Sequence, residues 1–167
     1  MPPAKRVLLE SNKPERTVAP RVAAAYHEGA HCLAAIRMCQ TIKSCAIDEA
    51  GSGQTRTLEP HTPAGDRGAL QRFAVVALAG GLAVQRLTGR PDDHAAQDMA
   101  NVRQRIAYLP ADEQMIFMRE ARAAAVRWVD KHWPLLVDLA RRLHRAGTMD
   151  HLDVLDVLNL APSRAAA

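Results

Sequence analysis

The chain has 167 residues, enough for one packed domain and too few for two of ordinary size. Hydrophobic residues make up 48% of it and aromatic residues only 4%, so an aliphatic, alanine-rich core of close-packed helices is expected. The net charge of +4 is spread along the chain apart from Arg141, Arg142 and Arg145, and no aromatics alternate with the cations, which argues against a nucleic-acid-binding protein.

Residues 1–19 carry Pro2, Pro3 and Pro14 among Lys5, Arg6, Lys13 and Arg16 and are expected to form a flexible arm without the apolar core of a signal peptide. Residues 20–160 read as a single domain. Pro20 suits a first helical turn, and the alanine-rich stretch to Gln40 predicts a helix. Ile42–Asp48 and Gln54–Leu58, joined by Gly51-Ser52-Gly53, predict a small hairpin with Lys43, Cys45 and Ile47 on one face. A second helix is expected from Thr62 as N-cap and Pro63 to Thr88, with Gly89 as its stop. Gly80-Gly81 in its middle is costly in a helix, which points to another backbone packing closely there. Its apolar run, Phe73 to Val84, is 12 residues, too short to span a bilayer. A third helix, capped by Asp92 or Asp93, is expected to reach Tyr108. A long helical region follows from Asp112, bent or divided at Pro134 and ended by Gly147. A last helix is expected over Asp150–Leu160 with Leu152, Leu155 and Leu158 inward, and residues 161–167 form a frayed tail. The class is mainly α with one small β element. Cys32, Cys39 and Cys45 lack C-x-x-C spacing and read as free buried thiols in a reducing compartment, so a cytoplasmic location without membrane insertion is expected.

The first helix carries the chemistry. His27-Glu28-Gly29-Ala30-His31 reads H-E-x-x-H, and four residues along a helix bring both imidazoles to one face, one turn apart. A divalent metal can bridge them, and Glu28, one residue on, can reach a water at the metal without being a ligand. Two histidines and a glutamate among apolar residues are costly to bury without a partner. This is the residue set of metal-assisted hydrolysis, with Glu28 as general base.

Catalytic zinc normally takes three protein ligands. In the third helix the inward stripe is Ala95, Met99, Val102 and Ile106, and Asp98 lies on its edge as one candidate for a third ligand. His94, one turn earlier, is a rival ligand or a supporting group. His61 after the hairpin is another residue able to approach, whereas Asp92 and Asp93 are explained by capping. His132, His144 and His151 read as surface residues.

Together these segments resemble the peptidase domain of the FtsH-type ATP-dependent zinc proteases. Ala25-Tyr26-His27-Glu28-Gly29-Ala30-His31 is similar to that family's A-Y-H-E-A-G-H, with alanine and glycine exchanged. Gly53-Gln54-Thr55 resembles its G-x-T, Leu78-Ala79-Gly80-Gly81-Leu82-Ala83 its L-G-G-R-A-A-E-E without the arginine and glutamates, and Gln97-Asp98 its Asn-Asp or Ser-Asp pair. Leu139-Ala140 and Thr148-Met149-Asp150 resemble the L-A and T-L-D signals of its last helices. The resemblance covers roughly residues 18–160, in order. It implies Zn2+ held by His27, His31 and Asp98 and a zinc metalloendopeptidase with Glu28 as base. The sequence shows no P-loop, so the expected partners are a polypeptide substrate and either a separate ATPase or further copies of the chain. A degenerate peptidase, a zinc-bound module that binds peptides or proteins without cutting them, is the alternative.

Overall fold

The computed structural model of the chain describes residues 17–58 and 65–160; the arm up to residue 16, His61, Thr62-Pro63 and the tail from residue 161 fall outside them. The elements are α1 (Pro20–Arg37), β1 (Thr41–Ile47), β2 (Gly53–Leu58), α2 (Arg67–Thr88), α3 (Ala95–Arg105), α4 (Ala111–Ala146), β3 (Thr148–Met149) and α5 (His151–Val157). The fold is mainly helical with one small three-stranded antiparallel sheet in the order β2-β1-β3.

α1 lies at the centre, packed by α2 and α4 on one side and by β1 and β2 on the other. Every residue from His27 to Ala35 is therefore buried, whatever its polarity. Small side chains make this possible. Ala24, Ala25, Ala30, Ala34 and Ala35 are buried along it, and Gly29 packs on Ala140 of α4. α2 is long and apolar enough to cross a membrane, yet 72% of that window is buried by the surrounding chain, so its apolarity serves the core.

Several boundaries differ from the sequence-based expectation, each for a local reason. α2 starts at Arg67, not at Thr62-Pro63, because the Asp66 carboxylate accepts from the Ala69 N–H and Gly65 (φ +87°) breaks the backbone just before it. The hairpin is not a clean alternation: a bulge between Ile42 and Ser44 leaves Lys43 exposed and buries Ile42 with Cys45 and Ile47. α4 runs undivided through Pro134, which sits on the exposed face while Val129, Leu136, Leu139 and Leu143 anchor both halves in the core. Thr148-Met149 forms a third strand, pairing with Ala46 and Cys45. The Asp150–Asp153 capping box starts α5 at His151 and turns Val154 and Leu158 inward, leaving Leu152 half exposed and Leu155 only partly covered. Cys32 and Cys45 are buried, but Cys39 is exposed.

Candidate metal centre

Helical spacing puts His27 and His31 on one face of α1, and their Nε2 atoms lie 2.9 Å from each other. α3 then delivers Asp98, whose Oδ2 lies 3.2 Å from His27 Nε2 and 3.3 Å from His31 Nε2. The partners behind the rings decide what these three atoms can do. His31 Nδ1 is 2.8 Å from the Val76 carbonyl, which only accepts, so this nitrogen donates. His27 Nδ1 is 2.6 Å from Asp92 Oδ2 and likewise donates. In the neutral rings both Nε2 atoms consequently present lone pairs, to each other and to a carboxylate oxygen. Asp98 Oδ2 is buried and receives no hydrogen bond.

Three electron-pair donors converging without a hydrogen is unfavourable unless positive charge sits between them. The electrostatics give the same answer. Burial opposes a charge on His27, yet the hydrogen bond to Asp92, then the Asp98 carboxylate beside its Nε2 and the charge of Glu28 push its pKa up to about 10, so that without a metal a proton supplies the positive charge. Burial works to raise the Asp98 and Asp92 carboxyls, but the histidines hold both below the usual carboxylate range. A divalent cation meets this demand. Tetrahedral ligand atoms at 2.0–2.2 Å from a small divalent ion lie about 3.3 Å apart, close to the separations found here. His27, His31 and Asp98 thus form a cluster able to hold a metal ion.

Asp92 is the residue that sequence reasoning missed. It is not the side-chain cap of α3, whose N-cap position is His94. Its carboxylate instead divides its two oxygens between His27 Nδ1 and the His94 N–H at 3.0 Å. That arrangement orients a metal-ligating ring and makes it a stronger ligand. Replacing Asp92 by asparagine leaves one carbonyl oxygen for two donors, so zinc affinity is expected to fall about 10- to 100-fold. Competition with a chromophoric chelator measures it.

Glu28 stands beside the metal ligands on the β2 side. Thr55 donates to its Oε2 at 2.7 Å. A Cβ on Gly53 would lie 2.5 Å from Glu28 Cγ and 2.8 Å from Oε1, so glycine there makes room for the carboxylate. Gly80 has the same relation to the rings: its Cβ would come within 2.6 Å of His31 Nε2 and 2.8 Å of His27 Nε2. The Gly80-Gly81 pair therefore admits two imidazoles at Gly80 and, at Gly81, Ala95 of α3, whose Cβ and Cα would lie 2.5 and 3.7 Å from an added Cβ.

His27, His31, Asp98, Glu28, Asp92, His94 and Thr55 all line one cleft of about 310 Å³, with Gly51, Gly53 and Gln54 forming its β2 wall. His94 belongs to this cleft but not to the ligand cluster. His132 and His151 bond elsewhere, to the Trp128 carbonyl and from the Ile42 N–H. No protein-family model matches the chain, and no curated protein is similar to it.

Proposed function

We propose that the chain is a zinc-dependent metallopeptidase that hydrolyses peptide bonds in unfolded polypeptide. One observation carries the proposal: three lone-pair donors converge in a cleft whose wall holds a buried glutamate that ligates nothing. A purely structural site has no use for that carboxylate. Two imidazoles and one carboxylate leave a coordination position open, which is the ligand set of catalytic zinc sites.

His27, His31 and Asp98 would hold the zinc, which when bound would supply Lewis acidity and lower the pKa of a water to about 7. The chain's own residues do the rest. Glu28, held by Thr55, accepts a proton from the water as its oxygen bonds to the peptide carbonyl carbon. Glu28 then passes that proton to the amide nitrogen, the C–N bond breaks, and an amine leaves with a carboxylic acid that gives its remaining proton to solvent. Asp92 and the Val76 carbonyl keep both imidazole rings oriented throughout.

The sheet supports a polypeptide as the substrate. β2 is an edge strand, and its Gly53, Gln54 and Thr55 line the cleft. An extended chain can add to its free edge by main-chain hydrogen bonds and pass the reacting carbonyl over the site. Folded proteins do not present such a segment, so a separate ATPase or a ring of copies would serve as the feeder.

Zinc analysis and cleavage of casein, an unfolded protein, test the proposal together. The expected result is one zinc per chain and casein cleavage that a chelator stops and added zinc restores. A chain that binds one zinc and holds casein without cutting it would instead be the non-catalytic interaction module.

A further inference from the structure

A peptidase needs more than a base. When water adds to the peptide carbonyl, the π pair moves onto the carbonyl oxygen, and a hydrogen-bond donor aimed at that oxygen lowers the barrier. The lining of the cleft narrows the choice of donor. The Thr55 hydroxyl is committed to Glu28 Oε2. The Gln97 amide nitrogen donates to Asn101 Oδ1 at 2.9 Å, on its own helix. Gln54 accepts from Arg56 Nε at 3.0 Å through its oxygen and keeps its amide N–H groups as donors, but on the β2 side with Glu28. Ala23, Ala24, Gly51 and Gly53 offer no side-chain donor.

His94 is left on the other wall. It lines the cleft, it is exposed, and its imidazole has no hydrogen-bond partner among the described residues. Although it occupies the N-cap of α3, its side chain makes no capping bond. Its position is nonetheless built: the His94 N–H is tied to Asp92 Oδ1, and the other oxygen of that carboxylate holds the His27 ring. One carboxylate thus ties a metal-ligating ring to the main chain of a residue whose imidazole lines the same cleft.

We propose that His94 is a catalytic residue that donates a hydrogen bond from its ring N–H to the substrate carbonyl oxygen as that oxygen gains charge. His94 keeps its proton throughout; the proton that moves is the one Glu28 carries from water to the amide nitrogen. This role deepens the metallopeptidase proposal and rests on it.

Two measurements on the full chain separate the role from the proposal beneath it. In the first, zinc-loaded wild type, His94→Ala and His94→Gln cleave a fluorogenic peptide. His94→Ala is expected to lose about 10²-fold in kcat with KM little changed and one zinc still bound, and His94→Gln, which restores an N–H donor, to recover part of the loss. The second reads binding alone: a phosphinic pseudopeptide, whose tetrahedral oxygens mimic the charged carbonyl, should bind His94→Ala about 10²-fold more weakly than wild type, while the matching uncut peptide binds Glu28→Gln proteins with and without His94 equally. Loss of zinc from His94→Ala would make His94 a ligand or its support and overturn the role. So would equal phosphinate affinity, or a change in KM alone. If wild type cuts nothing, the peptidase proposal falls, and phosphinate binding still decides whether His94 faces a tetrahedral oxyanion.

Discussion

Glu28→Gln will lower peptide hydrolysis by about two to four orders of magnitude while leaving one zinc per chain in place. The expectation follows from how little else the substitution changes. Glutamine has the shape of glutamate, so it fits the space that Gly53 leaves open. Its carbonyl oxygen can still accept the Thr55 hydroxyl, which now donates to Oε2 at 2.7 Å. Glu28 ligates nothing in the His27–His31–Asp98 cluster, so the metal has no reason to leave. What disappears is a group able to take a proton from water and return it to an amine. Zinc analysis beside kcat on a fluorogenic peptide checks both halves. Full activity in Glu28→Gln would remove this residue from the mechanism, and zinc loss would show that its charge helps to hold the ion.

Gly80→Ala will abolish tight zinc binding even though alanine is the better helix former. On an ordinary helix this change stabilises by up to about 1 kcal/mol. Here the new methyl carbon would sit 2.6 Å from His31 Nε2, 2.8 Å from His27 Nε2 and 2.9 Å from His27 Cδ2. The rings have nowhere to go cheaply, because both are buried and each is tied through Nδ1, to Asp92 and to the Val76 carbonyl. Turning them away from the methyl breaks those bonds and disperses the ligand set. The loss in zinc affinity should therefore exceed the roughly 10- to 100-fold expected when one outer partner is removed. Chelator competition measures the affinity, and far-UV circular dichroism reports whether α2 remains helical. A Gly80→Ala protein that binds zinc as wild type does would overturn the placement of these rings.

Residues that act through local spacing were legible from the chain itself. His27, Glu28 and His31 share a helical segment, and the periodicity of α3 placed Asp98 beside its inward stripe. The cluster at 2.9–3.3 Å agrees with that set and leaves His94 outside it. Asp92 was read as a cap because an aspartate at a helix start ordinarily is one. Its actual partner, His27, lies 65 residues away, and no local pattern announces it. Thr55 stands in the Gly53-Gln54-Thr55 segment that resembles G-x-T, but only its approach to Glu28 across 27 residues gives it a task. Gly80-Gly81 signals a close approach, and at Gly81 the α3 chain at Ala95 makes it, but at Gly80 two imidazoles do, since a glycine records a close approach without naming what approaches. β3 escaped because a two-residue strand has no periodicity to detect.

The amino-acid sequence determined by itself the mainly helical class, the hairpin and the two imidazoles with a glutamate on one helix. These follow from dihedral preference and from the 3.6-residue turn, and both operate within a few residues. Tertiary structure alone decided which lone pairs face each other, because that depends on the Val76 carbonyl and Asp92 reaching the far sides of the two rings. A nitrogen becomes an available ligand when its ring's other nitrogen is made a donor, and that donor's acceptor is brought up only by packing α2, and the loop beyond it, against α1.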